Sequence, residues 1–421
     1  MKRVMLLKGK SSLGIVLFLL TSMMLSGCNL DFDPKASMKT PQLSSDNESL
    51  KSVVNQYLAQ LPSGGSLIRP TDDGTTSLIR VLDLDNDGKN EALIFYETAD
   101  DPVPIHGVVF GYQGDTWEPQ ATIDGEGQVL ESLQLADLTN DGKIDIIAGY
   151  SNGEQQVQKG LSVYTYSHKK LEKIMVELPY SYYVVNDLNA DGKNDLSVVY
   201  FKKNEFSSIM TYQFDGKTFD ELDKLDLDSN INGYYNMVTG KISAAGEQGI
   251  MLDVSLNAAG NSSYTLVITM EAGKLVQVLG QDQTYKDDRI PSADVNGDGI
   301  LEYGLLQKPA GWDGVALEDI PWLYTYYHVG DADKPVWEEF LGLSIPTDLI
   351  GKVTIDTKSV KDQYIKFVRT DNGHTVLEVK YFTLSQWDRR NQDWKLLQRT
   401  SDRVIGYRGT NTGSKNGLGE Q

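Results

Sequence analysis

Short strand-like runs of five to eight residues, a nine-residue aspartate phrase that recurs among them, and a repeat period near fifty predict an all-β chain built as a propeller of four-stranded blades, preceded by one amphipathic helix. Six blades fit the count best, and seven fit if one goes unrecognised. The composition agrees. Of 421 residues, 40% are apolar and 23% charged, which is a foldable globular balance, and 39 glycines suit many tight turns.

The first segment is not part of that fold. Lys2, Arg3, Lys8 and Lys10 form a positive region, and Leu13 to Leu25 is an apolar stretch too short for a comfortable membrane span. Leu25-Ser26-Gly27-Cys28 follows and resembles the lipobox of bacterial lipoproteins. In those proteins the cysteine is diacylated and becomes the new N-terminus. Cys28 is the only cysteine of the chain, so no intrachain disulfide can form, and it stands where the motif needs it. The resemblance implies a signal peptide over 1–27, palmitate-type acylation at Cys28 and attachment to the extracytoplasmic face of a bacterial membrane. Two or three acyl chains, at about 0.8 kcal/mol per buried CH2, hold a protein stably on a bilayer.

Loss of the four cations and no acid takes the formal charge from −20 to −24. So acidic a body is repelled by anionic lipid, which leaves the acyl groups as the anchor. The same charge speaks against nucleic acid, whose phosphates require a basic footprint.

Residues 28–44, rich in Asp, Pro, Ser and Lys, read as a flexible tether. Over 45–62 a helix is expected. Ser45 and Glu48 can form a capping box, and Leu50, Val53, Val54, Tyr57, Leu58 and Leu61 fall on one stripe. Pro62 and Gly64-Gly65 end it. Its polar face lacks the Lys and Arg of membrane-lying helices, so it is expected to dock on the domain that follows. That domain is expected over 66–408, with a disordered tail over 409–421.

Within the domain, strands are expected at Leu78–Leu82, Glu91–Tyr96, Val108–Tyr112, Gly160–Tyr166, Leu196–Phe201, Tyr264–Met270 and Val376–Phe382. The aspartate phrase begins at Asp83, Asp137, Asp187 and Asp294, at spacings of 54, 50 and 107. The doubled gap points to a decayed copy at Lys241–Gly249, which keeps its central glycine and has lost every carboxylate at the ligand positions. A second register runs through Trp117, Leu171, Phe219, Leu275, Trp337 and Trp394, each just after a polar turn, and counts six units. The last unit and the extra strand Arg403–Tyr407 are the least regular.

Oxygens at positions one, three and five of the phrase surround one point. Glycine at six allows the sharp turn, and an acid at nine closes the shell. This is hard-cation chemistry, for which Ca2+ is the expected ion. An EF-hand would need a bidentate Glu at position twelve, where this chain has Ile94, Ala148, Val198 and Leu305. With an apolar strand after each phrase, the repeat resembles the FG-GAP/VCBS repeats of integrin-alpha-like β-propellers, over roughly residues 75–345.

That resemblance implies calcium loops between the first two strands of each blade. The ligands would be Asp83, Asp85, Asp87 and Glu91; Asp137, Thr139, Asp141 and Asp145; Asp187, Asn189, Asp191 and Asp195; Asp294, Asn296, Asp298 and Glu302. Thr139 is the poorest of these, the family's Phe-Gly and Gly-Ala-Pro elements are not visible, and no metal is expected at the decayed unit. The ions would be structural, stiffening turns and neutralising clustered carboxylates.

No H-E-x-x-H, G-x-S-x-G or P-loop motif occurs, and four scattered histidines do not suggest a His-rich zinc site. Propellers bind ligands near the axis, on the face opposite such loops. The aromatic and acidic residues expected there are Tyr180, Tyr182, Tyr234, Tyr285, Trp312, Asp313 and Trp322, while Tyr183 and Tyr235 are expected to pack between blades. Exposed rings beside carboxylates suit carbohydrate or a protein hot spot. The expected role is therefore adhesion or ligand binding to an envelope glycan or protein. A polysaccharide-acting enzyme, whose paired carboxylates leave no local signature, and a structural envelope-assembly lipoprotein are the alternatives.

Overall fold

The structure is a computed structural model and describes residues 45–409, apart from 73–76, 100–101, 115, 154–158, 332–333 and 391–392. The signal peptide, Cys28, the tether and the C-terminal tail lie outside the described residues. The described residues divide into two units between Tyr57 and Leu58.

Helix α1 (Ser45–Gln60) carries the predicted stripe, of which Leu50, Val54 and Leu58 are buried. It ends in a tight turn in which the Leu61 and Gly64 N–H groups donate to Leu58 and Leu61 carbonyls, with Gly64 left-handed at φ 69°. No helix among the described residues is long and apolar enough to cross a membrane.

The second unit is six antiparallel sheets in chain order, the arrangement of a six-bladed propeller. The first sheet holds β1 (Ser66–Ile68), β2 (Ile79–Leu82), β3 (Glu91–Glu97), β4 (Ile105–Gln113) and β5 (Thr116–Asp124). β1 and β2 pair with opposite ends of β3 and together make one innermost strand. The second sheet is β6 (Val129–Ala136), β7 (Asp145–Ser151), β8 (Lys159–Ser167) and β9 (Lys170–Tyr180); the third is β10 (Tyr182–Asn186), β11 (Asp195–Lys202), β12 (Phe206–Phe214) and β13 (Phe219–Asp226). The fourth is β14 (Gly233–Lys241), β15 (Gln248–Ser255), β16 (Ser263–Glu271) and β17 (Lys274–Leu279), followed by the short helix α2 (Gln281–Thr284).

In the fifth sheet the innermost strand shrinks to an Ala293–Glu302 bridge beside β18 (Tyr303–Gln307), β19 (Leu323–Tyr327), β20 (Trp337–Phe340) and β21 (Leu343–Ser344). The sixth has β22 (Val353–Ile355), β23 (Tyr364–Arg369), β24 (Thr375–Thr383), helix α3 (Leu384–Asp388), β25 (Lys395–Arg399) and β26 (Arg403–Gly409). Here β26 slips between β24 and β25, so the irregular strand after Trp394 belongs inside the last blade.

Burial explains why the strands read as apolar runs rather than alternations. A middle strand of a blade is covered on both faces by neighbouring blades. β7 is buried along its whole length and β3 at all but its last residue. The outer strand β13, FDELDKLD, is half-buried to exposed along its length, and its charges suit an edge position. Hydrophobic clusters join the first sheet to the second, the second to the third, the third to the fourth, the fourth to the fifth and the fifth to the sixth.

The last of these junctions corrects one expectation. Trp312 is 5% exposed and sits in the core between the fifth and sixth sheets, with its indole N–H donating to the Ile355 carbonyl at 2.9 Å. It is a packing residue rather than a ring offered to a ligand. The long polar segment around it hides one large apolar anchor.

Candidate metal centres and the inner-strand pocket

Each aspartate phrase links the innermost strand of its blade to the next one. The four loops share one backbone solution. Position four is left-handed (Asn86 φ 59°, Asn140 φ 58°, Ala190 φ 58°, Gly297 φ 81°), and so is the glycine at six (Gly88 φ 85°, Gly142 φ 85°, Gly192 φ 86°, Gly299 φ 83°). The position-one aspartate holds this shape by accepting two backbone N–H groups. Asp83 accepts from Asp87 and Gly88 at 3.1 and 2.9 Å, and Asp294 from Asp298 and Gly299 at 3.1 and 3.0 Å. Asp137 and Asp187 do the same.

The acid at position nine closes the loop from inside. Glu91, Asp145, Asp195 and Glu302 are all buried, and each accepts the N–H of position two, from Leu84, Leu138, Leu188 and Val295 at 2.8–3.1 Å. Burial pushes Glu91 up to about 7, and the charges of Asp85, Asp87 and Asp83 add to the rise. Burial likewise pushes Asp145 and Asp195 up to about 6 and Glu302 to about 7. These are carboxylates in want of positive charge.

The first two loops also hold orphaned oxygens. Asp85 Oδ1 and Asp145 Oδ1 are buried without a hydrogen-bond partner. Such atoms are costly unless something fills the gap, and a hard cation between oxygen donors fits that need. In the first loop Asp83, Asp85 and Glu91 bring oxygens within 4.8 Å of one another. In the third, Gln213 from β12 donates its amide to Asp191 at 3.0 Å and to Asp195 at 2.9 Å. In the fifth, His328, just past β19, approaches Glu302 at 2.9 Å and Asp298 at 3.4 Å, and these three form the other such group among the described residues. Nothing local in the sequence marks Gln213 or His328. They arrive by strand pairing, next to Tyr212 opposite Leu196 and next to Tyr327 opposite Tyr303.

The loops also tie blades together. The Ile144 N–H donates to the Leu84 carbonyl, Asn194 bonds Asn140 and the Asp137 carbonyl, and the Leu301 N–H donates to Lys241 O. The decayed copy keeps the turn by backbone alone. Gly246 is left-handed, and its N–H donates to Ser243 O. The fourth blade instead buries an ion pair, Lys286 Nζ to Asp253 Oδ1 at 3.8 Å. The ammonium donates to Thr265 Oγ1, Ile290 O and Gly304 O, so this pair is saturated from within.

The aromatic residues do not form one site. Tyr180 and Tyr182 line a cavity of about 720 Å3 with Tyr183, Tyr235, Gln134, Asn236, Ser132, Ser181, Asp72 and Lys159. It lies where β6, β10 and β14, innermost strands of the second, third and fourth blades, face one another, toward strand ends remote from the aspartate loops. Tyr183 and Tyr235, expected only to pack between blades, are part of this wall; the Tyr235 hydroxyl still donates across to Ile290 O at 3.2 Å.

Tyr234 points the other way. It is buried, its hydroxyl 2.6 Å from Ser207 Oγ. Trp322 lines a second groove, of about 570 Å3, with Tyr324, Tyr381, Asp287, Asp288, Glu318 and Asp362. Tyr285 is 46% exposed and donates to Asp287 at 2.7 Å, outside both linings, and Asp313 is an exposed partner of Lys308 at 2.7 Å.

No protein-family model matches the chain, and no curated protein does. Among solved structures, a rhamnogalacturonan lyase of Bacillus licheniformis is similar at 12% identity and TM-score 0.38, over 75% of this chain and 58% of that one. The β-propeller domain of the Trilobed protease from Pyrococcus furiosus is similar at 12% identity and TM-score 0.32, over 72% and 81%. A hypothetical selenium-binding protein from Sulfolobus tokodaii follows at 9% and 0.30, over 44% and 51%. The chain thus spans little more than half the length of the lyase and about half that of the selenium-binding protein.

Proposed function

We propose that this protein is a lipid-anchored, extracytoplasmic binding protein, a propeller stiffened by calcium at its aspartate loops that takes a neutral oligosaccharide of the cell envelope in its tyrosine-lined pocket. The observation that carries the reading is the lining of that pocket. Half-buried Tyr182, Tyr183 and Tyr235 supply apolar ring faces beside a buried Tyr180, which is a packing residue, while Gln134, Asn236, Ser132 and Ser181 supply neutral donors and acceptors. Sugars present apolar C–H faces and a rim of hydroxyls, and this mixture suits both. Lys159 at its edge pairs with both Asp72 at 2.6 Å and Glu131 at 2.9 Å, so the charges there are engaged with one another.

Calcium is favoured over other ions at the first three loops because their side-chain donors are all oxygens, and the two orphaned carboxylate oxygens call for a hard cation. The metal stiffens the blade junctions and leaves the pocket at the other strand ends free.

Co-sedimentation with purified, insoluble envelope polysaccharide tests the binding claim. Tyr182→Ala weakens retention about tenfold, equivalent to about 1.4 kcal/mol, while Tyr182→Phe keeps it, because the ring and not the hydroxyl does the stacking. Equal retention of all three proteins removes the pocket from the account. Turnover of the polysaccharide in the same assay would make the protein an enzyme instead. Anchoring has its own readout. The Cys28→Ser protein moves from the detergent phase to the aqueous phase on phase separation, and an unchanged partition would discard the lipid anchor.

A further inference from the structure

The fifth blade departs from the other three loops in the chemistry of one donor. Its group is built from Asp298, Glu302 and His328, with Glu302 fully buried and His328 7% exposed. The imidazole Nε2 lies 2.9 Å from Glu302 Oε1 and 3.4 Å from Asp298 Oδ2. Two donors each about 2.1 Å from a shared ion stand roughly 3.0–3.4 Å apart in octahedral or tetrahedral geometry. Both nitrogen-to-oxygen distances therefore already match ligand spacing, and the three donor atoms lie within 4.8 Å of one another. Asn296 lies alongside, its amide donating to Asp298 and Glu302 at 3.0 Å each.

We propose that the fifth-blade centre holds a divalent cation that accepts an imidazole ligand, of the Mn2+ to Zn2+ series, through His328 Nε2 and the carboxylates of Glu302 and Asp298, and so differs in metal class from the oxygen-only loops of the first three blades. Calcium takes oxygen ligands, whereas imidazole suits the first-row transition ions, so a buried nitrogen donor beside two carboxylates shifts the preference. The third blade supplies the internal comparison. There Gln213 occupies the matching place, offers no imidazole nitrogen, and donates its amide to its two carboxylates. The proposal rests on the metal reading above only in treating the loops as cation sites, and the ions can be tested separately.

The untagged full chain, stripped with EDTA and dialysed, is titrated with Co2+ alone and followed by visible d–d absorption, with metal counted by mass spectrometry. The wild type is expected to bind one Co2+ that Zn2+ displaces and millimolar Ca2+ does not. His328→Gln, which copies the third blade, weakens that binding at least a hundredfold and leaves calcium-dependent melting unchanged. Asp298→Asn, altering an exposed side chain, weakens it about tenfold in a protein that still folds.

Co2+ held as tightly by His328→Gln as by the wild type, Co2+ displaced by Ca2+, or no Co2+ bound would overturn the assignment and leave His328 as a hydrogen-bond partner like Gln213. Failure of calcium to bind the first three loops, with Co2+ still bound at the fifth, would sink the calcium reading and not this one.

Discussion

Chelation with EGTA is expected to lower the melting temperature by roughly 5–10 °C, and added calcium to restore it. The size follows from linkage. A ligand present at a hundredfold its dissociation constant stabilises by about 2.7 kcal/mol per site, and more than one loop contributes. The structural origin is the set of buried acids at position nine, with Asp85 Oδ1 and Asp145 Oδ1 left without partners. The loops also bond across blade junctions, as Ile144 does to Leu84, so a loosened loop frees an interface as well as a turn.

The pH dependence of the chelated protein gives a second reading. Glu91 is raised from 4.5 to about 7, and Asp145 and Asp195 from 3.8 to about 6. The folded state therefore keeps protons that the unfolded chain releases. Stability from this source is full below the unfolded values and is lost as pH rises through the folded ones. The metal-free protein should melt progressively lower as the pH rises from about 4 to about 7, and saturating calcium should flatten that slope. A melt indifferent to EGTA at neutral pH would end the metal reading of the loops.

Trp312→Ala is expected to cost about 3–5 kcal/mol of stability and to leave polysaccharide binding unchanged in the protein that remains folded. The indole packs in the junction of the fifth and sixth blades in one cluster with Ile320, Phe340, Leu343, Ile355 and Phe367, so its removal takes a large apolar group out of the core. Its N–H also satisfies the buried Ile355 carbonyl. Trp312→Phe separates the two contributions, since it keeps much of the packing and loses only the hydrogen bond, at about 1–2 kcal/mol. Denaturant melts of the two variants measure both. If Trp312→Ala retains wild-type stability and loses binding, the residue is a ligand contact after all and the core assignment is wrong.

The repeat period, the helix (expected over 45–62 and found at 45–60), the positions of most strands and the shape of the aspartate loops are legible in the chain because their causes are local. A loop whose defining bonds run four, five and seven residues along the sequence writes itself as a nine-residue phrase, and a strand covered on both faces writes itself as an apolar run. What decides the chemistry of the fifth-blade loop is His328, 26 residues beyond Glu302, delivered only when β19 pairs with β18. What decides that Trp312 is core is a carbonyl 43 residues away on another blade. The pocket is likewise assembled from strands of three blades, with residues as far apart in sequence as Asp72 and Met237. Short-range geometry is fixed by residue type and spacing. The company a side chain keeps across strands and blades is fixed by packing, and packing alone turned one expected contact into an anchor and one overlooked histidine into a candidate ligand.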